Sequence, residues 1–387
     1  MRTRLSIIIG LTLALSTGSI CFAASTGTST PVNSTITPTN SIVGDATLTL
    51  DQVLNDIEKN SVSIQTKEQK ILLYQRQFDR DTMNATVIKN SGTSQVNYPN
   101  GQYLNVKLAT DILPRSDEQN IKDAKHDKDD SLQNLKFSTE QQYLNALTNE
   151  DQINTINDQI KNMDEQIAQT KVKIANGQLT NNDLESLEVQ KTQIEASLNQ
   201  PKAQLQQNLL TIKQTINMNF DGNLTPVSTE KSFAKYDDSN IEDKINKAVD
   251  NNYNISKINN NLDILRAEED IYKKYAYDDD SGAISTSLSI QDLENSLDSA
   301  KLTIKTNLWN GYYGLKNLED AVETENAKVA SAQSNYDTIA AKVQQGVAIQ
   351  LQADSAALSL KSEKINLKNA INNYMVGVEQ FEYNLTQ

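Results

Sequence analysis

The sequence has few of the residues that turns, compact cores and redox or metal sites require. Its 387 residues include 13 Gly, 6 Pro, 1 His and 1 Cys, and only 5% of them are aromatic. So little Gly, Pro and aromatic content argues against a large all-β protein, which needs many turns. Positive charge is also scarce, since 36 Lys and Arg stand against 50 Asp and Glu, a formal net charge of -14. This charge argues against nucleic acids and anionic lipids as partners, because both bind basic surfaces.

The shortage of Cys and His removes most catalytic and metal-binding chemistry. Cys21 falls in the amino-terminal segment interpreted below as a signal peptide, and His126 lies in a run rich in Lys and Asp that is typical of a solvated helix face. Without a second His or a retained Cys, the sequence offers no convincing zinc site and no Ser/His/Asp triad. The sequence therefore predicts no enzyme activity, no metal and no cofactor.

The amino terminus has the features of a secretory signal peptide. Arg2 and Arg4 precede an apolar segment with small residues, which ends in a small-x-Ala pattern at Ala23. We expect cleavage after Ala23; the alternative, an uncleaved anchor helix, fits less well because residues 16–19 are Ser, Thr and Gly. Residues 24–46 are rich in Ser and Thr without periodicity, and we predict a disordered linker there.

The rest of the chain repeats itself. One set of matches, including Leu54 with Ile245 and Asn60 with Asn251, has an offset of 191 positions. A second set has an offset of 169 positions, and its pairs are Tyr143/Tyr312, Asp151/Asp320, Ile153/Val322, Ile160/Val329, Gly177/Gly346 and Leu198/Leu367. Because the two sets follow in the same order, we infer a duplication with repeats at 47–226 and 227–387, the first carrying a longer insert.

Apolar residues in both repeats follow a helical period. The clearest run steps by three, four and seven, as in a coiled-coil seam: Ile153, Ile156, Ile160, Met163, Ile167 and Ile174. We predict helices at 117–176, 180–218, 290–344 and 349–384, with a kink at Pro201. Gly177 and Gly346 lie between the paired helices, so the fold class is mainly α, with two long antiparallel helical hairpins of the α-barrel or coiled-coil type.

Each repeat is also predicted to carry a β-hairpin before its long helix. Ser94–Tyr98 and Gln102–Thr110 alternate around Pro99-Asn100-Gly101, which is typical of a turn. The counterpart, Tyr275–Tyr277 followed by Ala283–Ile290, is shorter and more polar. Asp278–Gly282 between them is interpreted as a hairpin loop, since its spacing fits a calcium loop poorly.

The layout resembles the TolC-like outer-membrane efflux protein family. The resemblance is carried by Leu48–Leu54 with Asn60, by the tip sequence from Gly177 to Leu184, by Val347–Ile349, and by the duplication itself. It spans nearly the whole chain after the linker. The resemblance implies a homotrimer whose hairpins form a shared β-barrel in the membrane and whose helices form a hollow α-barrel. It also implies docking of the helical tips onto a periplasmic-type adaptor protein that works with an energised inner-membrane pump.

The resemblance also suggests which residues form a functional site. In the family, acidic residues six and nine positions after the second tip glycine close the channel. Those positions here are Gln352 and Ser355, with Asp354 beside them, while Asp183 lies six positions after Gly177. Asp183, Gln352 and Asp354 are therefore constriction candidates, and the alternative for each is a solvated helix start. The candidates for adaptor contact, for which plain turn chemistry is a compatible explanation, are Gly177, Leu179, Gly346 and Val347.

Two functions follow from these patterns. The first is an exported efflux conduit of a tripartite system, passing small molecules or proteins passively, in the outer membrane if the cell has one and otherwise at the cell surface or secreted. The second is an exported, non-conducting coiled-coil protein that retains the helical frame. The intact duplication and the tip sequences favour the first function. The short, polar second hairpin favours the second function, because a membrane-spanning strand needs about 9–11 residues with an apolar face.

Overall fold

The structure is a computed structural model that describes residues 42, 44–92, 94–98, 102–276 and 279–387. The predicted signal peptide and most of the predicted linker lie outside these residues, as does the predicted turn at 99–101. From Pro38 onward the chain forms one compact unit. Its strands and helices are β1 (Ala46–Leu48), α1 (Leu50–Asn60), α2 (Val62–Asn90), α3 (Gln102–Lys107), α4 (Leu113–Ala175), α5 (Asn181–Ser197), α6 (Asn199–Thr215), β2 (Leu224–Pro226), α7 (Ile241–Asn251), α8 (Tyr253–Tyr275), α9 (Ser281–Gln344) and α10 (Gln350–Asn384).

Two helical hairpins dominate this unit, as predicted. Helix α4 packs against α5 and α6, and helix α9 packs against α10. With 63 and 64 residues, α4 and α9 are each about 95 Å long at about 1.5 Å per residue. Among the residues described, no helix combines the length and the apolar character that crossing a membrane requires.

The helix boundaries follow the two sequence offsets. Helix α7 begins and ends 191 positions after α1, and both helices have 11 residues. Helices α9 and α10 end and begin 169 positions after the end of α4 and the start of α5. Ser61 and Asn252, also 191 positions apart, have the same extended backbone at the junction with the next helix. The helices of the two predicted repeats therefore begin and end at equivalent positions.

Three apolar clusters hold the helices together. The first lies between α1, α4 and α6 and includes Ile57, Tyr143 and Ile212, all without exposed surface. The hydroxyl of Tyr143 lies 2.8 Å from the carbonyl oxygen of Leu48 and 2.7 Å from that of Val227. This side chain thus fixes the parallel pair of β1 and β2 onto α4.

The second repeat has corresponding clusters around α9. One is built on Tyr374, Val322 and Phe381, and another on Ile245 and Leu308. Ala46, the last residue of the predicted linker, already lies in β1, where its N–H donates to the carbonyl of Asn223.

The prediction of β-hairpins is wrong for the described residues, which are helical. Residues 102–107 are α-helical, 108–112 continue as a wider π-helical turn, and α9 already begins at Ser281. The membrane contact expected through short β-hairpins is therefore not supported, because these positions are helical. Residues 95–97 form a short 3₁₀ turn.

The same residues satisfy a helical pattern that the alternation concealed. In α9, Ala283 and Thr286 are buried and Ile290 is half-buried, at a spacing of three and four. The hydroxyls of Thr286 and Ser289 donate to the carbonyls of residues four positions earlier, which satisfies these polar groups within the helix.

In the first repeat, aromatic contacts fix the helical segment instead. Tyr103 packs edge-on against Tyr275 at 5.2 Å, and Tyr98 lies 6.1 Å from Tyr103. The predicted strand-like alternation therefore serves packing between α3 and the end of α8.

Candidate functional site

The two hairpin tips have the same backbone geometry. Gly177 and Gly346 have φ of 72° and 70°, the left-handed region that favours glycine. Their N–H groups donate to the carbonyls of Ile174 and Val343, each at 2.9 Å, and the following N–H reaches one residue further back. This arrangement is the usual glycine-terminated helix end. Both tip glycines are thus required by the turn, whatever else they contact.

Asp183 is bound to the start of its own helix. The backbone N–H and the hydroxyl of Thr180 both donate to the same oxygen of Asp183, each at 2.8 Å. These hydrogen bonds, the backbone one first, hold the pKa of the fully exposed Asp183 carboxyl below its usual value. Asp183 is therefore ionised at neutral pH and stabilises the first turn of α5.

Gln352 occupies the corresponding position at the second tip. The N–H of Ile349 donates to Oε1 of Gln352 at 3.3 Å, 169 positions after the Thr180–Asp183 pair. Asp354 accepts a hydrogen bond from the side chain of Gln350 at 2.9 Å. The structure thus places all three constriction candidates within the first two turns of α5 and α10.

Apolar side chains protrude at the tips. Val347 is 73% exposed and Ile349 is 52% exposed, whereas Leu179 is 36% exposed. These side chains leave apolar surface beside both fixed turns. Within the described residues, no group of three or more His, Cys, Asp or Glu is placed to hold a metal ion.

Away from the tips, α4 is enclosed by helices of both repeats. Its own repeat contributes α6, and α10 of the second repeat packs against another face. Polar pairs join α4 to α10: Gln141 donates to Asn373 at 2.7 Å, Lys368 pairs with Asp151 at 3.0 Å, Lys361 pairs with Asp158 at 2.8 Å, and Ser355 donates to Asn162 at 3.2 Å.

Among the residues described, none covers the corresponding face of α9 in this way. At the helical spacing of three and four, seven α4 positions facing α10 are buried or half-buried, while all seven counterparts 169 positions later are exposed. The α4 positions are Gln141, Leu144, Thr148, Asp151, Thr155, Asp158 and Asn162, and the α9 counterparts are Asn310, Tyr313, Asn317, Asp320, Thr324, Ala327 and Ser331. We call these α9 residues the open face of α9.

A complementary face lies open on α5 and α6. On α10, Ile365, Asn372 and Val376 are 7%, 1% and 2% exposed where that helix packs on α4. Their counterparts 169 positions earlier, Ala196, Ala203 and Gln207, are all exposed. We call these three residues, with Ser186, the open face of α5–α6. The open face of α9 corresponds to the α4 side of the α4–α10 interface, and the open face of α5–α6 corresponds to its α10 side. Two copies of the chain could therefore form a second interface of the same kind.

Sequence reasoning missed a buried pair of carboxyl groups between α2 and α4. Asp81 and Asp117 are only 8% and 7% exposed, and Arg80 donates to both oxygens of Asp81, at 2.9 and 3.2 Å. One oxygen of Asp117 is buried without a donor. Burial, and then the neighbouring Asp81, raise the pKa of Asp117 to about 6. No local motif marks this pair, because its members come from two helices that pack together.

Comparison with known proteins identifies the fold. No protein-family model and no curated protein matches the sequence. Solved structures do match: CusC, studied for conformational changes accompanying folding and transmembrane channel formation, has a TM-score of 0.64 and 9% identity, covering 87% of this chain and 91% of that one. The Campylobacter jejuni CmeC outer membrane channel has a TM-score of 0.60 and 11% identity, covering 87% and 85%. The Neisseria gonorrhoeae MtrE outer membrane channel, in its open state, has a TM-score of 0.59 and 11% identity, covering 87% and 88%.

These likenesses extend over most of each chain. The protein therefore has the fold of TolC-like outer-membrane channels, the fold that the sequence resemblance implied. Because the identities are only 9–11%, the comparison establishes the fold alone.

Proposed function

We propose that this protein assembles into a ring of identical chains that forms a helical efflux conduit in the cell envelope. The observation that carries the proposal is the pair of open faces. If the open face of α5–α6 packs on the open face of α9 in the next copy, each α9 gains the cover that α4 has within one chain. Such a contact joins two different surfaces and repeats from copy to copy, so it closes into a ring when the rotation permits.

The chemistry of the two open faces supports this packing. Asp151 and Lys368 pair within one chain, and their counterparts Asp320 and Asn199 would pair between chains as a charged acceptor and an amide donor. Ala203 presents a small side chain at the level of Tyr313, which is 59% exposed. Large and small residues on facing helices interdigitate, and burial of the tyrosine ring stabilises the contact.

The remaining parts of the proposal are supported by the likeness to TolC-like channels and by the sequence resemblance. A homotrimer is the assembly expected for this fold, with solutes passing through its interior passively and an inner-membrane pump supplying energy. Gly177, Leu179, Gly346 and Val347 at the tips would contact a periplasmic-type adaptor protein, and Asp183, Gln352 and Asp354 would line the inner mouth. We expect the protein to be exported to the outer membrane if the cell has one.

Disulfide trapping tests the ring interface. Ser186 and Ser331 are the counterparts of Ser355 and Asn162, whose side chains lie 3.2 Å apart within one chain. When the single variants Ser186→Cys and Ser331→Cys are mixed and oxidised, we expect disulfide-linked dimers, because the two residues meet between copies. Thr211→Cys mixed with Ser331→Cys is the control, since Thr211 lies about 37 Å further along the helices.

No native thiol should interfere with this experiment, because the only Cys in the sequence, Cys21, lies in the predicted signal peptide. Equal cross-linking of both mixtures would contradict the interface, and so would an absence of cross-links with Ser186→Cys. A chain carrying both Ser355→Cys and Asn162→Cys calibrates the reaction, since its disulfide forms within one molecule.

A conductance measurement tests the inner mouth. Replacing Asp183 with Asn removes a negative charge and keeps an oxygen that can accept from Thr180. We expect the cation selectivity of the conduit in planar bilayers to fall severalfold, because a ring of such charges at a narrow opening attracts cations. Asp298→Asn, on the exposed surface of α9, should leave selectivity unchanged. Equal selectivity of wild type and Asp183→Asn would remove Asp183 from the conducting path.

A second function is favoured by one observation, the helical state of residues 102–112 and 281–290. A protein that retains the helical frame without strands at these positions would be an exported, non-conducting coiled-coil protein of the envelope or cell surface. The cross-linking and conductance experiments separate the two functions. Cross-linked rings that conduct support the conduit, whereas a protein that never conducts supports the second function.

A further inference from the structure

The helical segment that follows the first tip is broken, whereas the corresponding helix after the second tip is continuous. Helix α5 ends at Ser197 and α6 begins at Asn199, whereas α10 runs through the corresponding residues without a break. Pro201 stands where α10 has Ala370. Proline has no N–H to donate to the carbonyl of Ser197, and its ring crowds that carbonyl. Beside this break, a cleft of about 440 Å³ opens between α4, the α5–α6 break and α10.

Free carboxamide groups line this cleft from two helices. Helix α4 contributes Gln152 and Gln159, and α6 contributes Gln200 and Gln204. Within the described part of the chain, none of these four side chains has a hydrogen-bond partner, although neighbouring polar residues do. Each carboxamide offers two donor hydrogens and an acceptor oxygen. The cleft thus presents several unused donors and acceptors close together.

The rest of the lining is apolar or hydroxylic, apart from Asn366 of α10, whose amide donates to the carboxylate of Glu363 at 3.3 Å. Ile156, Pro201 and Ile365 supply apolar surface, and Ser362 supplies a hydroxyl. Of the described residues that line the cleft, none is ionisable, although 22% of the chain is charged. Its volume falls within the range of small-molecule sites, about 300–1,000 Å³. A charged ligand would find no counter-charge here, whereas a neutral polar ligand meets matched groups.

We propose that this cleft binds a neutral, polyhydroxylated ligand, namely a short saccharide. A sugar hydroxyl both donates and accepts, as a carboxamide does, so pairs can form with the four glutamines. The carbon-bound hydrogens of a pyranose ring form an apolar face that suits Ile156 and Ile365. This site goes beyond the proposed conduit, because it lies within one chain and requires no assembly.

Titration calorimetry on the full chain tests the proposal. The probes are chitotriose, which is neutral, and trigalacturonate, which has the same number of sugar units and carries carboxylates. We expect chitotriose to bind and trigalacturonate to bind at least tenfold more weakly. The double variant Gln159→Leu, Gln200→Leu should weaken chitotriose binding at least tenfold. Gln193→Leu, an exposed glutamine outside the cleft, is the matched control and should bind as wild type does.

Two results would overturn the proposal. One is equal affinity for chitotriose in wild type and in the double variant, with circular dichroism showing that both retain their helices. The other is the absence of binding of both chitotriose and maltotriose, a second neutral trisaccharide. Failure of the cross-linking experiment leaves the expected saccharide binding unchanged, so the two proposals can fail separately.

Discussion

Replacing Tyr143 with alanine is expected to lower the free energy of unfolding by about 3–5 kcal/mol, the usual range for deleting a buried aromatic side chain. Tyr143 has no exposed surface and lies in the cluster shared by α1, α4 and α6. Its hydroxyl is also within hydrogen-bonding distance of the carbonyls of Leu48 and Val227. The substitution therefore leaves a cavity and frees the strands β1 and β2 from α4.

The duplication provides a matched control for this prediction. Tyr312 is the counterpart of Tyr143, but it is half-buried and its hydroxyl meets only the carboxylate of Asp238, at 3.0 Å. We expect Tyr312→Ala to cost about 1–2 kcal/mol, because less apolar surface leaves the core. Tyr143→Phe, which retains the ring, should cost about 1–2 kcal/mol from the lost hydrogen bond.

Urea unfolding followed by circular dichroism at one fixed protein concentration measures these differences. A fixed concentration is needed because assembly would add its own stabilisation. Equal losses for Tyr143→Ala and Tyr312→Ala would show that the two repeats bury this position to the same extent, contrary to the structure.

The helical frame could be predicted from the sequence because its signals are local and repeated. Apolar residues at steps of three and four define α4 and α9, and Gly177 and Gly346 end them where predicted. Pro201 also marks the break between α5 and α6 correctly. Such signals depend on neighbours within one or two turns, so no knowledge of packing is required.

The β-hairpins were predicted wrongly at positions where packing against other helices decides the secondary structure. Residues 283–290 fit both an alternating and a helical pattern, and burial of Ala283 and Thr286 selects the helix. Short apolar runs have this ambiguity in general.

The candidate site likewise combines a feature that is predictable from local sequence with one that depends on packing. The cap formed by Asp183 follows from Thr180 three positions earlier, whereas the open face of α9 cannot be read from one repeat alone. Tyr313 and its counterpart Leu144 are both large and apolar, yet one is 59% and the other 1% exposed. That difference arises because α10 packs on α4 at this position, whereas no described helix covers the corresponding face of α9.

Replacing Asp117 with asparagine is expected to stabilise the protein at about pH 7.5 by about 1–3 kcal/mol. Burial and the nearby Asp81 raise the pKa of Asp117 to about 6 in the folded state, above its ordinary value of 3.8. Between these two pH values the folded state binds more protons than the unfolded state does. The contribution of Asp117 to stability is therefore fully present below about pH 4 and is lost as the pH rises through about 6.

Asparagine isolates this effect because it is neutral at every pH and has nearly the same shape. Its amide can also donate to Asp81, which a second carboxylate cannot do. The stability difference between Asp117→Asn and wild type should thus grow as the pH rises from about 4 to about 7.5. Other groups with shifted pKa values, such as Glu140 and Glu150, are common to both proteins and cancel in this difference.

Asp81→Asn provides the contrasting variant, since the pKa of Asp81 is lowered, first by its hydrogen bonds from Arg80. Removing that carboxylate leaves Arg80 without its partner, and it also removes the charge that opposes ionisation of Asp117. We expect Asp81→Asn to lose stability at about pH 7.5 and to lower the pKa of Asp117. A pH-independent difference between wild type and Asp117→Asn would mean that Asp117 titrates normally, and that the two carboxyl groups do not oppose each other between α2 and α4.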